Sequence, residues 1–226
     1  MNQSQRSNLA LARATAATTA MFPLLVTIIN IIQRREYDAK SQAVSELALG
    51  QGGWLMTVAF CSLGTGTLLL TLLLRRMVPG AKVGPALLFV GAPLSVVSAF
   101  VHADPSTATT ATTHGQIHIL AGLVTFVLMI TAMFVLVRAL RRNEQWRPFG
   151  AATLGWSIAA VGAFLLIPTV GETYFGLAQR IFLGTLLSWT LTVAWCAGRI
   201  ARRASTAAVR DADFARPAAL ASHTGP

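Results

Sequence analysis

Three of the four histidines in this 226-residue sequence lie close together, and their spacing is compatible with a metal site. His114 and His118 are four residues apart, so both imidazole rings lie on one face if the segment is helical. His102 or Asp104, at the end of the preceding apolar segment, could supply a third ligand. Three ligands and an open position would let a divalent metal such as zinc activate a bound water. The pattern raises the hypothesis of a metal site at His102, His114 and His118.

The same histidines fit two other roles. Imidazole rings are stable at a membrane interface, where they can hydrogen-bond the ends of helices, and a side chain that titrates near neutral pH can also transfer protons. Two histidines four residues apart are a weak metal signal when no protease-type glutamate lies between them. The sequence therefore favours the interfacial role, with metal binding second and proton handling third.

Other polar residues lie near the ends of apolar segments and are candidates for catalysis. Ser45 and Glu46 could orient a substrate or a water, although a helix cap or a loop contact is the simpler interpretation. Asp104 precedes a proline, which is typical of a turn that ends a helix. Arg180 could form an ion pair with Glu172, or it could extend toward lipid headgroups.

Composition places these residues in a membrane protein. The chain is 54% hydrophobic and 12% charged, whereas about 25% of residues are charged in a soluble domain. Because lipid provides no hydrogen bonds, each spanning segment must satisfy its own backbone, and the continuous apolar runs exclude the alternation of a β-barrel. The sequence predicts an all-α bundle of about six transmembrane helices, at about 14–32, 53–74, 83–101, 116–137, 149–167 and 178–197.

The segments predict three parts of the chain. Residues 1–13 form a cytoplasmic N-terminal segment, 14–198 the six-helix transmembrane domain, and 199–226 a basic, disordered cytoplasmic tail. The first apolar segment also resembles a signal sequence, but no small-x-small cleavage site precedes Gln33. We predict that it is retained as an anchor.

The net charge of +10 would suggest nucleic acid in a soluble protein. Here the basic residues lie at the ends of apolar segments, which predicts membrane lipid as the partner and no nucleic acid. If both termini are cytoplasmic, the outer side holds only four of the eighteen Lys and Arg residues, namely Arg34, Arg35, Lys40 and Arg180. The Arg34–Arg35 pair conflicts with this orientation, but both termini inside a bacterial plasma membrane is the better prediction.

An antiparallel bundle with this orientation brings the polar motifs to the outer side. We predict one outward-facing pocket there, and its candidate residues are Ser45, Glu46, Asp104, His118 and Arg180. No helix carries a charged residue near its middle, which argues against an ion path. Small residues recur every four positions in the fifth segment, and we predict that this stripe packs against another helix, at Ala151, Gly155, Ala159 and Ala163.

The order of several short motifs resembles the bacterial membrane family catalogued as domain of unknown function 998. These motifs are Ser45-Glu46-Leu47, Gly53-Trp54-Leu55-Met56, Asp104-Pro105, Gly115-Gln116-Ile117-His118 and Gly176-Leu177-Ala178-Gln179-Arg180. The resemblance covers roughly residues 15 to 200 and implies a six-helix bundle with polar motifs on the outer face. It implies no activity.

A fainter similarity is to membrane hydrolases of the ceramidase and progestin-receptor type, which use histidines, an aspartate and a serine around zinc. Their ligands would correspond to His102, His114 and His118, with Asp104 and Ser45 beside them, although helix number and motif order differ. Two hypotheses follow for the function. One is a metal-assisted lipid-modifying hydrolase, and the other is a non-enzymatic small-molecule or ion carrier or a partner-binding membrane subunit.

Overall fold

Six long helices form the chain in a computed structural model, which describes the backbone of residues 2–221 and the side chains of residues 2–203. They are α1 (Gln3–Ile32), α2 (Trp54–Met77), α3 (Val83–Phe100), α4 (Thr113–Arg142), α5 (Arg147–Leu166) and α6 (Gly171–Ala221). Short 3-10 helices lie in two connections, at Val44–Ala48 and Ile167–Thr169. Residues 2–221 contain no strand. The all-α prediction is confirmed.

The helices form a ring in which each packs against its neighbours in sequence, and α6 closes the ring against α1. All six are long and apolar enough to cross a membrane. Large apolar side chains of the helices face outward, including Leu24, Phe89 and Leu165, each more than half exposed. Such a surface is stable in hydrocarbon and not in water. The chain is therefore a multi-pass membrane protein.

The interior of the ring contains two apolar clusters. The larger lies among α2, α4 and α6 and includes Leu73, Met133, Phe182 and Trp189. The smaller lies between α1 and α2 and includes Phe22, Ile29, Met56 and two residues of the α1–α2 loop, Val44 and Leu47. Because loop residues complete the second cluster, the α1–α2 loop is part of the packed bundle.

The first helix begins before the predicted boundary at residue 14. Asn2 accepts a hydrogen bond from the backbone N–H of Gln5 at 2.9 Å, and the Gln5 side chain accepts one from the Asn2 backbone at 3.0 Å. This capping box satisfies backbone donors that a helix start leaves unpaired. The helix therefore begins about three turns before residue 14 and includes Arg6 and Arg13.

The last helix continues past the predicted start of the tail. Helical backbone extends to Ala221, so residue 199 is not a helix end; alanine, which is frequent there, is the residue that most favours helix. His223, in the predicted tail, lies outside the described residues. The division into three parts stays a prediction.

The small-residue stripe predicted in α5 was wrong. Ala151, Gly155 and Ala159 are exposed, and a Cβ added at Gly155 would contact nothing within 4 Å. The face of α5 that packs in the bundle instead carries Gly150, Thr153, Ser157, Ala160 and Ala163. The packing stripe follows a mixed spacing of three and four residues, which suits the 3.6-residue turn better than a strict spacing of four.

The bundle has two ends. The motif end holds the α1–α2, α3–α4 and α5–α6 connections, and the basic end holds the α2–α3 and α4–α5 connections. At the basic end, the indole of Trp146 donates a hydrogen bond to the carbonyl of Met77 at 3.0 Å. The polar residues singled out from the sequence lie at the motif end.

Candidate functional site: the hydrogen-bonded cap at the motif end

The α1–α2 loop, residues 33–53, folds back over the motif end and forms a cap. Gln33, directly after α1, is 5% exposed. Its side-chain amide donates to the carbonyls of Leu47 and Gln51, each at 2.9 Å. A Cβ added at Gly50 would lie only 2.6 Å from the Cδ of Gln33 and would overlap that side chain. One buried amide therefore fixes the two ends of the loop against each other.

Glu46 is the buried acidic residue of the cap, at 6% exposure. Its Oε1 accepts a hydrogen bond from the backbone N–H of Ala43 at 2.9 Å. Its Oε2 accepts from the backbone N–H and the hydroxyl of Ser106 at 2.9 and 3.0 Å, and from the Gln42 side chain at 3.3 Å. A buried carboxylate needs such donors to offset its lost hydration. Glu46 thereby joins the α1–α2 loop to the α3–α4 loop.

Arg180 joins the same loop to α6. Its Nη1 donates to the carbonyls of Gln42 and Gly176 at 3.2 and 3.0 Å, and its Nη2 donates to the Tyr37 hydroxyl. The Tyr37 hydroxyl in turn donates to the carbonyl of Ala43, 2.8 Å away. Burial raises the pKa of Tyr37 above its ordinary value of 10.0, although the Arg180 charge acts in the opposite direction. The neutral phenol is therefore the stable form in the cap.

The residues around Arg180 make close backbone contacts with the loop. A Cβ at Gly176 would overlap the carbonyl oxygen of Gln42, so only glycine allows α6 to approach this closely. The side-chain oxygen of Gln179 accepts a hydrogen bond from the backbone N–H of Val44 at 2.7 Å. The Gly176-to-Arg180 motif is therefore a docking surface for the α1–α2 loop.

Asp104 orders the α3–α4 loop. Its carboxylate accepts from the backbone N–H of Thr112 at 2.8 Å and from the Thr112 hydroxyl at 2.6 Å. The Thr112 hydroxyl oxygen accepts from the backbone N–H of Gly115 at 3.0 Å, which caps α4. The bonds from Thr112 hold the pKa of Asp104 below its ordinary value of 3.8, with a smaller contribution from the His114 charge. The Asp104-Pro105 turn predicted from sequence is thus tied to the start of α4.

His118 lies inside the bundle wall, with 9% of its surface exposed. Its Nδ1 is 2.7 Å from the carbonyl oxygen of Val101, at the end of α3. Because a carbonyl only accepts, this contact assigns the proton to Nδ1. The ring also packs edge-on against Phe60, with centroids 5.8 Å apart. His118 therefore connects α4 to Val101, the first residue after α3.

The predicted residues divide into two groups. Glu46, Asp104, His118 and Arg180 each join one connection or helix end to another. Ser45 is buried, but no residue whose side chain is described hydrogen-bonds its hydroxyl. His102 and His114 are exposed. Within residues 2–203, no three His, Cys, Asp or Glu side chains are arranged to hold a metal ion, so the metal site stays a prediction without geometric support.

The structure adds residues that sequence reasoning missed. Tyr37, Gln42, Ser106 and Thr112 all bond to one of the predicted residues. Tyr37 could have been noticed in the sequence only because it is an aromatic residue within a polar loop. Ser106 and Thr112 lie in a loop with several other Ser and Thr residues, so the sequence does not show which of them bond to the predicted residues.

A cavity of about 450 Å³ lies at the motif end, between the end of α1 and residues of the cap. It is lined by Ile31, Ile32, Gln33, Arg34, Arg35, Glu36 and Gln51. None of the predicted pocket residues lines it. The network around Glu46 and Arg180 is a set of contacts between loops, and the cavity lies next to this network.

The fold and the cap define a multi-pass helical membrane protein with interlocked loops at one end. Residues 17–196 match the family described as Protein of unknown function (DUF998). The match covers most of the chain, so the chain belongs to this family, and the resemblance found in the motifs is confirmed. No curated protein and no solved structure matches the chain.

Proposed function

We propose that this chain is a non-enzymatic, partner-binding subunit of the bacterial plasma membrane, and that the cap is its binding surface. The observation that supports the proposal is that charged motif side chains hold the loops of the cap in place. Glu46 and Arg180 direct their hydrogen bonds to loop groups of the chain itself. A loop held in one conformation loses little entropy when a partner binds, so this arrangement favours binding.

Exposed apolar groups lie in the cap, at Leu49, and directly after it, at Trp54, the first residue of α2. Leu49 is 47% exposed and Trp54 is 69% exposed, and both lie beside the polar loop. Aromatic and aliphatic side chains surrounded by polar groups are typical anchors of protein interfaces. A carrier is less well supported, because the charged side chains of the motifs bond to loops at one end. Buried hydroxyls within the helices, such as those of Thr71, Ser157 and Thr190, donate to carbonyls four residues earlier in their own helix.

Site-specific photo-cross-linking in native membranes tests this proposal. A cross-linker placed at Leu49 should give a discrete adduct that disappears in the Arg180→Gln variant, because that change loosens the cap. The matched control is a cross-linker at Phe89, an exposed residue in the middle of α3. The absence of an adduct at Leu49, or the same adduct from both positions, would contradict a binding surface at the cap.

The orientation is part of the proposal. The distribution of basic residues supports cytoplasmic termini and an outward-facing cap. A single cysteine at Thr109, in the α3–α4 loop, should react with a membrane-impermeant reagent added from outside. A cysteine at Asn143, in the α4–α5 connection, should not react until the membrane is opened. The reverse pattern would invert the topology.

A second candidate function, the metal-assisted lipid-modifying hydrolase, is favoured by the orientation of His118. With the proton on Nδ1 directed to the Val101 carbonyl, Nε2 keeps its lone pair, as in histidines that bind metals. Asp104 lies near His114, whose charge affects the pKa of its carboxyl group. Movement of His114, together with His102 or Asp104, toward Nε2 of His118 would bring together the three predicted ligands.

Elemental analysis of the purified full chain distinguishes the two functions. Stoichiometric zinc or iron that is lost in His118→Ala and kept in His223→Ala would support the hydrolase and overturn the binding subunit. Folded protein without bound metal, after growth and purification with added zinc, would support the binding subunit.

A further inference from the structure

A second cavity lies at the basic end, between the α2–α3 connection and the last turns of α4. Its volume is about 360 Å³, and its walls come from residues 79–84 and from one face of α4. Val135, Arg138, Ala139 and Arg142 follow the spacing of one helical face. Lys82 faces them from the start of α3. We call this cavity the basic groove.

Among residues 2–203, no side chain supplies a counter-ion to the three cations of the basic groove. Lys82, Arg138 and Arg142 are exposed, and no described residue forms a hydrogen bond or an ion pair with them. The groove contains no acidic residue. Three positive charges that line one cavity repel one another, so an anion bound among them gains from all three.

Two other arginines near this end, Arg76 and Arg199, have partners within the chain. Arg76 donates to the hydroxyl of Ser7 at 3.1 Å, and the guanidinium of Arg199 lies 4.6 Å from the centre of the Trp195 ring. The groove cations differ from Arg76 and Arg199 in having no partner among the described residues. They differ from other arginines of this end, such as Arg75 and Arg147, in lining one cavity together.

The groove has apolar walls as well as charges. Val83 is 58% exposed and Val135 is 39% exposed. Both line the groove, and the α3 and α4 surfaces beyond them expose Phe89, Val90 and Val127 to lipid. An anion that fits here therefore carries apolar chains next to its charge.

We propose that the basic groove binds an anionic phospholipid, with the phosphate among Lys82, Arg138 and Arg142 and the first acyl carbons against Val83 and Val135. Basic pockets between membrane helices bind anionic headgroups by this combination of charge and apolar contact. The groove lies at the opposite end from the cap, so the inference does not rest on the partner-binding function.

Native mass spectrometry of the full chain, released from detergent with added lipid, tests the proposal. Phosphatidylglycerol should bind about tenfold or more tightly than phosphatidylcholine with the same acyl chains, because only the former has a net negative headgroup. The Lys82→Gln, Arg138→Gln, Arg142→Gln variant should lose that preference. Its phosphatidylcholine binding should stay unchanged.

The matched control removes the same charge from the same end outside the groove, as Arg75→Gln, Arg147→Gln, Arg203→Gln. It should keep most of the preference for phosphatidylglycerol over phosphatidylcholine. We expect the preference to fall by less than about threefold, because these charges act on the lipid only through the weaker electrostatic field of the whole protein. Equal losses in the two triple variants would overturn the site, as would equal binding of the two lipids by the unchanged chain. Displacement of phosphatidylglycerol by millimolar inorganic phosphate would also overturn it, in favour of a free-phosphate site. Unchanged helical circular dichroism shows that each variant is folded.

Discussion

The two ends of the bundle use polar residues in opposite ways. At the motif end, Glu46 and Arg180 are engaged by backbone and side-chain groups of the chain. At the basic end, Lys82, Arg138 and Arg142 surround a groove, and no residue whose side chain is described pairs with them. A buried charge must be satisfied within the fold, whereas an exposed one can remain available for a ligand. We therefore assign a structural role to the motif residues and a binding role to the groove cations.

The histidine region shows the same difference on a smaller scale. His118 is buried and bonds to the end of α3, whereas His102 and His114 are exposed. Two histidines four residues apart thus differ in environment although they share a helix. From residue type and spacing alone, both histidines had the same candidate roles.

The largest expected effect is steric and tests the docking of the cap on α6. Gly176→Ala should lower the free energy of unfolding by about 3 kcal/mol, because the new Cβ overlaps the backbone of the α1–α2 loop. Gly184→Ala, on the same helix, has open space within 4 Å and should be neutral or slightly stabilising. Thermal melting of the purified chain in detergent measures both. Equal melting temperatures would show that the cap is not seated on α6.

The next effect tests the buried carboxylate. Glu46→Ala should cost about 2 kcal/mol, since the backbone N–H groups of Ala43 and Ser106 lose their acceptor. Hydrogen exchange should increase in both loops at once. The control is Glu144→Ala, an exposed acidic residue at the basic end, which should leave the melting temperature unchanged. Faster exchange in the α1–α2 loop alone would mean that Glu46 does not join the two loops.

A smaller effect compares one arginine from each end. Arg180→Gln should cost about 1 kcal/mol through its lost hydrogen bonds to the loop. Arg180→Lys should recover only part of this, because an ammonium group lacks the planar fork of donors. Arg138→Gln, in the basic groove, should leave the melting temperature of lipid-free protein unchanged. A loss of stability in Arg138→Gln equal to that in Arg180→Gln would remove the distinction between the two ends.

The smallest effect is the dependence on pH. The pKa of Asp104 is lowered in the folded chain, so the stabilisation from its ionised form is present above the ordinary value of 3.8 and is lost as the pH falls through the folded value. Asp104→Asn should reduce the decline in melting temperature on acidification. An identical acid decline in Asp104→Asn would show that other carboxyl groups cause it.

At high pH the relevant group is Tyr37. The pKa of Tyr37 is raised in the folded chain, so its contribution to stability is present below pH 10.0 and is lost as the pH rises through the folded value.

Much of the fold could be predicted because lipid restricts it. The segments predicted near 53–74, 83–101 and 149–167 lie close to α2, α3 and α5, since a spanning helix needs about 20 apolar residues. The start of α1 was missed because residues 3–13, which include several polar residues and Arg6 and Arg13, lengthen that helix beyond its continuous apolar part. The α5 stripe was missed because several of its faces carry small residues, and composition does not show which face meets a neighbour.

The sequence by itself determined an all-α membrane bundle, its family, and the motif residues at one end, because hydrophobicity and motif order are properties of the chain alone. Only the tertiary structure decided what those residues contact. Arg180 donates to the carbonyls of Gln42 and Gly176 as well as to the Tyr37 hydroxyl, and His118 donates to the carbonyl of Val101. Every residue has a carbonyl group, so no sequence pattern marks the ones that accept. The packing of the helices selects them by bringing distant segments within hydrogen-bonding distance.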